Sequence, residues 1–196
     1  MTDSPSIVVA GIDVGKSKLD VHILGVGLDR QFDNTKTGRR ALRNWLLKLG
    51  VYRTVFEPTG RYHRNLHQCL FDSGLQTVLV NPLRSRRFAE AIGQLAKNDR
   101  VDASMLARFG LLDGLESTPP QPDILCRLSD LLALRRKLVE HLGALRKLCA
   151  ELDPEAAACP SATLDALQAD IADCDRRMRD CIAADTVLSR RDAIIQ

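Results

Sequence analysis

Aromatic side chains make up only 4% of this 196-residue chain, too few for base stacking to dominate any recognition of nucleic acid. The six cysteines (Cys69, Cys126, Cys149, Cys159, Cys174 and Cys181) form no C-x-x-C pair and have no zinc-finger spacing, so they read as reduced thiols rather than metal ligands. Cys149, Cys174 and Cys181 fall on helical apolar stripes, where a thiol behaves as a small hydrophobe. No apolar run approaches the ~20 residues of a membrane span. The opening MTDSPS lacks the charged and apolar regions of an export signal, so a cytoplasmic protein with no membrane partner is expected. A strong excess of one charge is also missing: the net charge is +3, and a nucleic-acid partner must be argued from where the arginines cluster. What the chain does have is 45% hydrophobic content, enough for one core and an appendage.

The stretch GIDVGKSKLDV, from Gly11 to Val21, resembles a phosphate-binding loop but lacks its first glycine. Counting back from Gly15, that glycine falls on Ala10, and Asp13 would set a negative charge where a phosphate should sit. The run from Ile7 to Ile12 reads instead as a buried strand. Lys18 to Leu24 alternates apolar and polar residues like its hairpin partner. Asp13 then lies at a strand end beside the turn at Gly15. A third short strand is expected over Arg30 to Asp33, and an amphipathic helix through NTKTGRRALRNWLLKLG, with Leu42, Trp45, Leu46 and Leu49 on one face and a stop at Gly50. YRTVFEPTG reads as a strand ending at Glu57, with Thr59 as N-cap of a helix to about Leu70. LQTVLV is another buried strand, closed by Asn81-Pro82 and followed by a helix from Leu83 to about Ile92. Three strands, then helix, strand, helix, strand, helix predict a mixed α/β sheet whose first three strands are antiparallel.

Residues 1–113 form this domain, and GLESTPPQPD makes residues 114–123 a Pro-rich linker. Beyond it strand signals stop. Ile124, Leu128, Leu131, Leu138, Leu142, Leu145 and Cys149 step by three and four, with Arg135 breaking the heptad. Leu164, Leu167, Ile171, Cys174, Met178 and Cys181 repeat the spacing after the turn DPEAAACPS. Residues 124–185 are therefore expected to be an all-α antiparallel coiled-coil hairpin. Its stripes predict a partner helix without saying whether it belongs to the same chain or to a second copy in a homo-oligomer.

Four acids carry the chemistry. Asp99 and Asp102, in KNDRVDASMLARFG, lie three apart at a helix start, so both can face one side, although acids also complement a helix N-terminus. Together with Asp13 and Glu57 at strand ends they offer the hard oxygen ligands that a pair of divalent cations requires for phosphodiester chemistry. In this order GIDVGKSKLDV, FEPTGRYHRNL and KNDRVDASMLARF resemble the N-terminal half of the insertion-sequence 110, or DEDD, transposases, whose relatives include the pilin-gene invertases. The resemblance covers about Val8 to Phe109 and maps the family's four acids onto Asp13, Glu57, Asp99 and Asp102. It implies a ribonuclease H-like domain of the Holliday-junction resolvase type, dependence on Mg²⁺ with Mn²⁺ substituting, and recombination of DNA guided by a structured RNA. It also implies a following C-terminal domain that supplies a nucleophilic serine. Residues 186–196 would be its start, and no serine of this chain is given that role.

Arginines cluster at Arg39, Arg40 and Arg43, at Arg84, Arg86 and Arg87, and at Arg176, Arg177 and Arg179. Their forks suit phosphate oxygens, though such clusters also form solvated helix faces. Arg84, Arg86 and Arg87 follow a strand end of the sheet that carries the acids, and Lys16 and Arg100 adjoin proposed ligands; these five are the expected nucleic-acid contacts. Lys16 and Arg100 also suit a role as counter-charges to the acids. His63 and His67, at i and i+4, have the spacing of a metal pair but no third ligand nearby in sequence. Tyr62 reads as a packing residue. Two rival functions stand beside this one: a stand-alone structure-selective nuclease, which uses the same four acids with water as nucleophile, and a non-catalytic nucleic-acid-binding and dimerisation module that assembles with full-length transposase or its RNA through the coiled coil and does not need the acids.

Overall fold

The computed structural model describes residues 7–93, 99–186 and 188–190, and for residues 99–101 the backbone alone. The chain divides into two compact units, Met1–Pro120 and Gln121–Gln196.

Among its described residues the first unit is built on five strands: β1 (Val9–Val14), β2 (Lys18–Leu24), β3 (Leu28–Asp33), β4 (Arg53–Phe56) and β5 (Gln76–Leu79). They lie in the order β3-β2-β1-β4-β5. β1 pairs antiparallel with β2 and β2 with β3, while β1 and β4, and β4 and β5, are parallel. The alternation in β2 buries Leu19, Val21 and Ile23, and outer β3 buries only Phe32. Among the described residues four helices complete the unit: α1 (Lys36–Lys48), α2 (Arg64–Phe71), α3 (Pro82–Ala91) and α4 (Asp99–Phe109). Thr35 caps α1, its hydroxyl accepting from the Gly38 amide, one of the donors a helix start leaves unpaired. Leu42 and Leu46 of α1, with Leu66 and Leu70 of α2, join Ala10, Ile12 and Phe56 in one core. Met105, Leu106 and Phe109 of α4 join Val9, Val55 and Val78 in another. Because successive strand residues face opposite sides, the two cores lie on opposite faces of the sheet.

Two expectations need correction. Thr59 is not the cap of α2: the helix starts at Arg64, with His63 before it already helical and making no capping bond. The turn intervenes because Gly60 takes a positive φ of 46° and the Tyr62 amide bonds to the Thr59 carbonyl. Tyr62 is exposed, so it contributes little to packing. Within the Pro-rich segment, Thr118 lies along outer strand β5. Its amide donates to the Thr77 carbonyl at 2.7 Å, and its hydroxyl accepts from the Leu79 amide at 3.3 Å. Backbone groups that an edge strand leaves open are thereby covered.

In the second unit α5 (Asp123–Ala150) and α7 (Ser161–Ala184) pack against each other, joined through the short α6 (Pro154–Ala158). Asp153 caps α6 by accepting from the Glu155 and Ala156 amides. Leu142, Cys174 and Cys181 are buried, and the other heptad positions of α5 form a half-buried stripe. Arg135, which breaks that stripe in sequence, reaches across to Asp175 at 2.6 Å. Arg135 lies 15 residues before the end of α5 (150 − 135) and Asp175 14 after the start of α7 (175 − 161), nearly level, as neighbours in a helical hairpin require. Each charge stabilises the other, so the Asp175 carboxyl is held below its usual range and the Arg135 guanidinium above its own. All six cysteines are free thiols. Among the described residues no helix is long and apolar enough to cross a membrane.

Candidate functional site

The sheet register sets the first two acids side by side. Gly11 pairs with Val55 and Ile12 with Phe56, so Asp13 and Glu57 stand level as the next step of adjacent parallel strands. Val9 and Val55 face α4; by the two-residue period Gly11, Asp13 and Glu57 face the same way.

α4, the helix that carries the other two acids in its sequence, packs on that face. A Cβ at Gly11 would collide with the backbone of Ala103 and Ala107, and one at Gly110 with the side chains of Val9 and Val55. The helix therefore lies directly on β1 and runs opposite to it, its C-terminal end over Val9 and its earlier turns past Gly11 towards Asp13. Asp102 adjoins Ala103 in that approach, and Asp99 begins the helix. The side chains of Asp99 and Arg100 lie outside the described residues. Buried Arg53 anchors the far end of α4 by donating to the Gly110 and Leu112 carbonyls and to Gln76, which suits a cation at a helix C-terminus. Among the described residues no three His, Cys, Asp or Glu side chains are grouped to hold a metal ion.

Several contacts at this end of the sheet were not legible in sequence. Glu57 Oε1 accepts a hydrogen bond from Ser85 Oγ at 2.5 Å. Ser85 is buried in α3, whose start is fixed by Asn81 as N-cap and Pro82 at the first helical position. The Asn34 amide nitrogen donates to the Gly15 carbonyl at 2.9 Å and to the Tyr62 carbonyl at 3.1 Å, while its oxygen accepts from Arg39 at 2.9 Å. Asn34 thus ties together the two turns that follow Asp13 and Glu57. Asp20 stands opposite Asp13 across the β1–β2 hairpin and accepts from Gln31 at 2.8 Å. Centring that hairpin on Lys16-Ser17 would have paired the two acids from sequence. Asp20 and Gln31, with Asp29, Arg30 and Ala103, also line a polar cleft of about 400 Å³.

The expected phosphate contacts are differently placed. Lys16 is exposed in the tight turn closed by the Gly15 amide on the Lys18 carbonyl. Arg84, Arg86 and Arg87 are all exposed on α3; Arg84 lies over the Phe109 ring and Arg86 pairs with Glu90. Arg39 is engaged by Asn34. Arg176 and Arg177 both pair with Asp173, which spends much of that cluster's charge locally. His67 is buried and hydrogen-bonded to the Thr118 carbonyl at 2.7 Å, a satisfied core histidine. Burial disfavours its cation and that of His63, and lowers both imidazoles below the usual 6.5.

The pattern of the DEDD transposases of the insertion-sequence 110 type matches residues 10–153. A pilin gene-inverting protein of Moraxella bovis is 27% identical over 131 residues, covering 64% of this chain and 41% of its own length. The pilin gene-inverting protein of Moraxella lacunata matches to the same extent. The match therefore spans about two fifths of these relatives.

Proposed function

The chain belongs to the insertion-sequence 110 DEDD transposase family, and from that premise we propose that it is the acid-bearing part of a DNA transposase or recombinase with a ribonuclease H-like core. The observation that carries this is the approach of α4 to β1 at Gly11. It aims the helix bearing Asp99 and Asp102 at the strand end bearing Asp13, beside Glu57. Carboxylates from two strands and a helix are a donor set suited to hard divalent cations. In this reading Asp13, Glu57, Asp99 and Asp102 hold Mg²⁺, or Mn²⁺ in its place. Cations held there supply charge stabilisation for displacement at phosphorus.

The chain's other residues bind and orient. Arg84, Arg86, Arg87, Lys16 and Arg100 hold DNA phosphates beside the acids, and with so few aromatics the recognition is of backbone and shape. A structured guide RNA is the second nucleic-acid partner. In the second unit α5 and α7 act as a coiled coil that joins copies of the protein, since Leu132, Leu134 and Leu148 of α5 remain exposed beside the seam.

Calorimetric titration with Mn²⁺, comparing the chain with Asp13→Asn and Asp99→Asn, tests the centre of the proposal. Binding lost in both variants is expected, because segments far apart in sequence then build one site. Equal binding in all three would overturn the metal site and leave a nucleic-acid-binding module.

A further inference from the structure

The Ser85–Glu57 contact has a chemistry that the family resemblance does not supply. Ser85 is only 1% exposed and sits one turn into α3. Its hydroxyl hydrogen has two acceptors within reach, Glu57 Oε1 at 2.5 Å and the Pro82 carbonyl at 3.0 Å. A serine inside a helix commonly bonds back to the carbonyl three or four residues earlier, and the Pro82 contact is of that kind. The carboxylate oxygen is nearer by half an ångström, at the separation of a charge-assisted O–H···O⁻ bond. The only hydrogen the hydroxyl owns is therefore directed at Glu57. Burial removes water as a competing donor, and the capped start of α3 fixes where the hydroxyl stands.

We propose that Ser85 is a positioning residue for Glu57: it occupies Oε1 and holds the carboxylate so that its other oxygen is presented to the face shared with Asp13 and α4. This rests on the reading of Glu57 as a metal ligand. Partners of that kind, which bond to a ligand rather than to the ion, fix the ligand's orientation, and their loss lowers metal affinity about 10- to 100-fold.

Two readouts test the proposal. In Mn²⁺ calorimetry Ser85→Ala should weaken binding by at least about tenfold, whereas Asn81→Ala, which uncaps the same helix without touching Glu57, should leave affinity unchanged. Equal losses in the two variants would mean that Ser85 acts only through the integrity of α3, and would overturn the proposal. The second readout needs no metal: urea unfolding of Ser85→Ala, Glu57→Ala and the double variant. Non-additive shifts are expected, because removing either the hydroxyl donor or the carboxylate acceptor already breaks the bond; additive shifts would show that the two side chains are not coupled. If the parent chain binds no Mn²⁺, the metal reading fails on its own, and the unfolding cycle still decides whether Ser85 holds Glu57.

Discussion

A methyl group at position 11 would stand 1.9 Å from the Ala103 carbonyl oxygen and 2.4 Å from the Ala107 amide nitrogen. Both are backbone atoms, so no rotamer change relieves the clash and α4 must lift from β1. Gly11→Ala is expected to cost at least the ~1–3 kcal/mol typical of overpacking in urea unfolding, and to weaken Mn²⁺ binding because Asp102 and Asp99 move with the helix. Gly143, inside α5 with open space around it, is the matched control: Ala there should stabilise by up to ~1 kcal/mol through helix propensity. A Gly11→Ala variant as stable as the parent would show that the close approach is not a constraint. Asp13, Glu57, Asp99 and Asp102 were singled out because short local patterns surround each acid. Ser85 and Asn34 were not, since each acts on a partner 28 or 19 residues away and local chemistry gives such a residue no distinguishing mark.

Elements were legible where one face is buried and the period is regular. β2 and α1 show their alternation and heptad-like spacing directly, and the structure places both within a residue or two of expectation. The start of α2 was misread because Thr59 has the right chemistry for a cap, while the positive φ of Gly60 sends the chain through a turn first. The docking of the linker was also invisible, because its bonds run to β5 and α2 rather than along itself. That docking predicts a pH dependence. Folded, the buried His67 resists protonation, and its imidazole lies below 6.5; unfolded, it takes a proton near 6.5. The unfolded state thus binds more protons as pH falls from 6.5 towards the folded value, and stability drops over that window while remaining complete above it. His63 shifts in the same direction through its own burial. Urea midpoints measured at about pH 7.5 and about pH 5.5 should fall, and His67→Gln, which cannot titrate but can still donate to Thr118, should reduce the fall. An unchanged pH slope in His67→Gln would mean that other groups control it.

Across the whole molecule the modest net charge of +3 conceals a division that the totals could not show. The unit Met1–Pro120 carries 17 Lys and Arg against 12 Asp and Glu, a net of +5; the unit Gln121–Gln196 carries 11 against 13, a net of −2. The basic excess therefore belongs to the unit that holds the proposed metal ligands, four of whose 12 acids would be offset by bound cations. In the other unit Arg176 and Arg177 are paired with Asp173. Phosphate binding by released counterions should then depend on α3 and not on α7. For branched DNA the logarithm of the affinity should fall linearly with the logarithm of salt concentration, by about 0.9 for each duplex phosphate contacted. Replacing Arg84, Arg86 and Arg87 together with Ala should flatten that slope by about one to three, with Arg87, which among the described residues has neither the ring nor the ion pair of its neighbours, contributing first. Replacing Arg176, Arg177 and Arg179 should leave it unchanged. If the second set flattens the slope and the first does not, DNA lies along the helical unit, and the arginines of α3 are a solvated face of the helix.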